Sequence, residues 1–199
     1  MTKRISVCGV GAAGVLLLGG CAATADTATH GHSMPGMEMS PGMSMSDMAA
    51  HSSGHHPVPS ASARMICSGD THRSVATTLH LDIRPSSHDR WSHGRYTCSY
   101  HTTAGMMVLS VEDSPDPQSG RGYFDRLRHR LGEPALLDGM TGLGLPAFET
   151  GAGQVAFLKD GKTLEVDASA LTGDLGGPGQ TRSDVAYQVA TDVIGCWSG

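Results

Sequence analysis

Gln154-Val155-Ala156-Phe157-Leu158-Lys159, then Asp160-Gly161, then Lys162-Thr163-Leu164-Glu165-Val166-Asp167 is the stretch on which the fold turns. Asp-Gly between two apolar segments is a strong two-residue hairpin signal, because a tight turn needs positive φ at both central positions. A second pair of segments lies upstream. Arg95 to His101 and Met106 to Glu112 alternate or run apolar, and Thr102-Thr103-Ala104-Gly105 joins them. Helix signals separate the two hairpins. Ser68-Gly69-Asp70 opens a helix with Val75, Ala76 and Leu79 on one face. Asp116-Pro117 is an N-cap followed by proline in the first helical position, and the helix carries Phe124, Leu127 and Leu131 before stopping at Gly132. Thr181 and Asp184 have capping-box spacing, and Val185, Val189 and Val193 with Ala186 and Ala190 form a helical core face. Asp82 to Gly94 is polar and contains Pro85, so it reads as a loop.

The order is helix, two strands, helix, two or three strands, helix. This predicts an α+β domain over residues 64–199, an antiparallel sheet of four to five strands covered on one face by about three helices. Roughly 136 residues is enough for a single core. The repeated helix–hairpin order hints at duplication, but no residue-level repeat accompanies it.

The N-terminus has different physics. Lys3 and Arg4 precede an apolar run from Ile5 to Leu18, as in a secretory signal. The run is shorter than the roughly 20 residues a membrane-spanning helix needs. Leu18-Gly19-Gly20-Cys21 resembles the bacterial lipobox, which implies residues 1–20 as signal peptide and Cys21 as the acylated first mature residue. Each buried methylene adds about 0.8 kcal/mol, and two or more acyl chains such as palmitate hold a protein at a membrane where one does not. The competing reading is an ordinary cleaved signal with a chance cysteine. With Lys3 and Arg4 removed, the formal charge of −5 becomes −7, which argues against nucleic acid and against electrostatic membrane docking. The expected location is the extracytoplasmic face of a cell membrane, held there by lipid.

Residues 21–63 read as a lipidated tether. Beyond Cys21 they are mainly Ala, Ser, Thr, Gly, Pro, Met and His, with Val58 the only branched aliphatic. That composition cannot bury enough apolar surface to offset ordering entropy, so disorder is expected. Of 11 Met in the chain, six (Met34, Met37, Met39, Met43, Met45 and Met48) fall in this stretch, and His30, His32, His51, His55 and His56 flank them. Pro35-Gly36-Met37-Glu38-Met39 recurs as Pro41-Gly42-Met43-Ser44-Met45. Thioethers are neutral, polarisable ligands that select Cu(I), and imidazole suits copper in either oxidation state. The tract resembles the Met/His-rich segments of periplasmic and surface proteins that handle copper or silver. Two other readings compete: a polar tether that merely tolerates Met, and a Met stripe that packs as core or interface. Against the first stands the oxidisability of Met; against the second, the lack of a helical period.

Cys67 at a helix start, Tyr96-Thr97-Cys98-Ser99-Tyr100 on a strand, Gly142-Leu143-Gly144 before Ala147-Phe148, and the ending Val193-Ile194-Gly195-Cys196-Trp197 form a further pattern. Together they resemble small lipoprotein domains of high-GC Gram-positive bacteria, and are loosely similar to the extracellular sensor domains of some membrane serine/threonine kinases. The resemblance spans 64–199 and implies fold and location rather than chemistry. An unknown protein partner at the cell surface is one expectation it carries.

For the remaining cysteines, an oxidising compartment implies one disulfide and one leftover thiol. Cys67–Cys98 would tie the first helix to the first strand; Cys67–Cys196 would pin both ends of the domain. His72, His80, His88, His93 and His101 are candidates for a second metal site, and more simply for solvated or hydrogen-bonded side chains. No Gly-x-Ser-x-Gly elbow, P-loop or His-Glu-x-x-His is present, and Gly142-x-Gly144 lacks the third glycine of a dinucleotide site. An enzyme is not expected.

Overall fold

A computed structural model describes residues 58–139, 141–173 and 175–197. In chain order these form α1 (Ala61–Arg64), a 3-10 turn (Met65–Cys67), α2 (Gly69–Thr78), β1 (Ser86–Ser92), β2 (Arg95–Thr102), β3 (Gly105–Glu112), α3 (Pro117–Arg130), β4 (Ala147–Thr150), β5 (Gln154–Lys159), β6 (Lys162–Asp167) and α4 (Arg182–Cys196). The fold is α+β. Its sheet is antiparallel, in the order β1-β2-β3-β6-β5-β4, so two three-stranded meanders meet where β3 pairs with β6.

Both expected hairpins form, and the helix signals act locally as their chemistry dictates. Asp116 caps α3 by accepting the Ser119 N–H at 2.9 Å, with Pro117 at the first helical position. Thr181 and Asp184 make the reciprocal capping box of α4. Asp160 and Gly161 both take positive φ, 51° and 73°, between β5 and β6.

Two expectations need correction. The sheet has six strands rather than four to five, because residues 86–92 form β1 instead of a loop. The turn behind it is His93-Gly94, with φ of 52° and 80°, so a histidine fills the left-handed position usually given to Asn or Asp. Nor do the helices share one face. Val155 and Phe157 of β5 pack with α2 and α4, whereas Ala156 between them packs with Phe124 and Leu127 of α3 and with Phe148 of β4. Alternate residues of a strand point to opposite faces, so α3 lies across the sheet from α2 and α4. Phe124 and Phe148 meet there with ring centroids 5.1 Å apart.

That approach depends on Gly120. It is buried under the β5–β6 turn, and a Cβ there would collide with the carbonyl of Gly161. We expect Gly120→Ala to cost about 1–3 kcal/mol by overpacking. Gly122→Ala on the same helix meets only the Arg126 guanidinium, at 3.2 Å. Its better helix propensity should leave stability unchanged or raised by up to about 1 kcal/mol. Equal urea midpoints for the two variants would refute the close approach.

Asp113, directly after β3, secures the start of the domain. Its fully buried carboxylate pairs with Lys162 Nζ at 2.6 Å and accepts the Ser60 N–H at 2.6 Å, while its own N–H donates to Gly94. Burial pushes its pKa up, but the Lys162 ammonium and the Ser60 donor outweigh this and hold it below the usual carboxylate value. A carboxylate depressed in the folded state stabilises above its unfolded value, and that stability is lost as pH falls through the folded value. Asp113→Asn should therefore cost about 3–5 kcal/mol near neutrality by stranding Lys162. It should also flatten the loss of stability below about pH 4. Thermal melts across that range check both; a variant with the wild-type acid profile would contradict the assignment.

Candidate functional site

Cys21 and the Met/His ligands, His30, His32, Met34, Met37, Met39, Met43, Met45, Met48, His51, His55 and His56, lie outside the described residues. What the structure places is the domain's half of the expectations. No helix among the described residues is long and apolar enough to cross a membrane.

Cys67 and Cys98 form a disulfide with Cα atoms 5.6 Å apart, inside the usual bridging range. The inward position of Cys98 on β2 decides the partner: the 3-10 turn carrying Cys67 lies over that face of the sheet. Tyr100, two residues along β2 on the same face, donates its hydroxyl to Ile66 O at 2.6 Å and fastens the same turn. The alternative Cys67–Cys196 bridge is not formed. Cys196 is half-buried at the end of α4, in a crevice of about 300 Å³ shared with Met65 and Ser68.

The five histidines do not converge as one cluster. His72 is structural: Nδ1 lies 3.1 Å from Pro85 O, Nε2 lies 3.0 Å from Ser87 Oγ, and its ring packs edge-on to Tyr100 at 4.9 Å. Burial, with Arg84 nearby, lowers its pKa and favours the neutral ring. His93 serves the β1–β2 turn. His80 ends α2 at φ 48°, and Leu81 N–H returns to Ala76 O at 2.8 Å, the closure of a Schellman-type cap in which glycine is usual. His88 and His101 are exposed on β1 and β2. No group of three or more His, Cys, Asp or Glu among the described residues is arranged to hold a metal ion.

A groove of about 730 Å³ runs between the α2–β1 connection and the β2–β3 turn. Leu79, Leu81 and Ile83 give it apolar walls, and His80, Arg84 and His101 supply polar atoms. Ile83 is 71% exposed there. A cleft of this size, apolar with a few polar groups, has the character of a small-ligand site. Sequence reasoning missed it because part of its wall, Asp82 to Ser86, falls in a stretch read only as polar loop.

On the face of the sheet that carries α3, Arg95 bridges Glu165 and Ser110 through Nη2 at 2.7 and 2.6 Å, and its Nη1 donates to Tyr123 OH at 2.9 Å. These bonds are satisfied within the fold and tie α3 to the central strands. They are structural.

The bridge between Cys67 and Cys98 closes a loop with a sequence separation of 31. The loop-entropy relation gives it about 3–4 kcal/mol. Cys67→Ser/Cys98→Ser should lose that amount in denaturant titrations, and a reductant should destabilise the wild type but not the double variant. A reductant-insensitive wild type would refute the bridge.

No protein-family model matches this chain, and no curated protein or solved structure matches it significantly.

Proposed function

We propose that this chain is an exported surface lipoprotein, anchored through acylated Cys21, that binds Cu(I) or Ag(I) through residues 30–56. The observation that carries the reading is the repeated Pro-Gly-Met-x-Met unit with histidines on both sides. An oxidising compartment removes free thiols from the ligand pool, whereas thioethers keep their affinity for a soft monovalent ion. The Cys67–Cys98 disulfide supports such a compartment, since these bonds persist mainly in exported proteins. The folded domain serves as scaffold or docking module, in keeping with its resemblance to small lipoprotein domains of high-GC Gram-positive bacteria. In this reading the protein is a binding protein and not an enzyme.

A second reading is favoured by one observation, the apolar-walled groove under Ile83. It makes the domain a sensor-type module for an extracytoplasmic ligand or partner, with the Met/His tract incidental.

Titration of the mature chain with Cu(I) against a chromogenic chelator separates the two. The metal reading expects several equivalents, mostly lost when the Met and His of 30–56 are replaced by Ser and Gln. Undiminished binding after that replacement would overturn it.

A further inference from the structure

The antiparallel register places two histidines and a methionine side by side on the face of β1–β3 turned away from α2 and α4. Residue parity defines that face. Tyr96, Cys98, Tyr100, Met107 and Leu109 point into the main core. On β1, Asp89 bonds Tyr96 and Ser87 bonds His72, so these two point the same way. The alternate residues, His88, His101 and Met106, therefore share the other face, and all three are exposed. His101 is the direct cross-strand partner of Met106. Directly opposed residues have Cβ atoms about 4.5–5.5 Å apart. Ser86 pairs with His101 and Ser99 with His88, which puts His88 on the diagonal to His101. Diagonal neighbours, at about 7–8 Å between Cα atoms, are within reach of long and aromatic side chains.

We propose that His88, His101 and Met106 form a second site for a soft monovalent metal ion, Cu(I) physiologically and Ag(I) as its probe. Two imidazoles and one thioether are a neutral donor set, which suits a monovalent soft ion and disfavours hard cations that require carboxylates. The three donors come from adjacent, mutually hydrogen-bonded strands, so their backbones are held at fixed spacing before metal arrives. Arg90, on the same face, lies one pair further along β1, on the side of His88 away from His101. Met106 is 41% exposed on a surface where packing demands no apolar side chain. The site stands independently of residues 30–56.

The test uses the full-length chain with the Met and His of 30–56 replaced by Ser and Gln. One equivalent of Cu(I) should remain in competition with a chromogenic chelator. On adding Ag(I), the ring nitrogens of His88 and His101 should shift together in nitrogen-15 NMR. His88→Gln, His101→Gln and Met106→Leu should each weaken binding at least tenfold without altering the melting temperature, since none of these side chains is buried. Retained binding in the triple variant would overturn the site. So would absent binding in the tract-replaced chain, or Ag(I) shifts confined to the crevice around Cys196. In a chain with the native tract, the triple variant should lose one equivalent and keep the rest. That result separates a failure of this site from a failure of the tract.

Discussion

The burial of β5 on both faces is the constraint from which the architecture follows. Val155 and Phe157 demand cover on one side and Ala156, with Phe148 beside it, demands cover on the other. One helix layer cannot satisfy both. α4 and α2 take the first side, and α3 must cross to the second on its way from β3 at the centre of the sheet to β4 at its edge. A helix of 14 residues spans about 20 Å, enough to cover only part of a six-stranded sheet. It settles over β5 and β6, where the apolar residues are. Most of the same face of β1–β3 stays wet, and its residues are mainly His, Arg, Ser and Thr, with Met106, Val108 and Glu112 on β3.

Much of this was legible in the sequence, where local chemistry and tertiary demand agree. The Asp160-Gly161 turn, the Asp116-Pro117 cap and the Thr181/Asp184 capping box each act over four residues or fewer, and each forms as read. The two-sided helix cover was also written, in the uninterrupted run Val155-Ala156-Phe157-Leu158. A strand with one wet face alternates; a strand buried on both faces does not. Reading that run only as a hairpin arm missed where α3 would go. Gly120 carried a signal too, since glycine inside a helix is costly unless something approaches its backbone closely.

β1 was hidden for a different reason. Ser86-Ser87-His88-Asp89-Arg90-Trp91-Ser92 lacks the aliphatic alternation by which strands are recognised, and its turn uses His93-Gly94. What makes it a strand lies elsewhere: β2 offers a free ladder, Trp91 packs against the core, and Asp89 takes the Tyr96 hydroxyl at 2.9 Å. That bond, added to burial, raises the Tyr96 pKa to about 12. The proposed metal ligands divide along the same line. The Met/His tract is visible to composition alone, because its ligands are close in sequence. His88, His101 and Met106 become neighbours only through strand register, and a loop reading of 82–94 erases the register.

The polarity that concealed β1 also decides what an edge there can be. An edge strand presents unpaired backbone groups to any other chain. Charged side chains blunt that hazard. A closed two-fold pairing of β1 with its own copy must keep each face in register with itself. Full overlap of Ser86–Ser92 with its copy is centred on residue 89 and sets Asp89 against Asp89 at the axis, and like charges directly opposed are destabilising. The fully overlapped self-pairing of this edge is therefore disfavoured. A solvent-facing strand paired along its length with β2 is the element on which an exposed imidazole such as that of His88 can be held at fixed spacing from donors on the next strands.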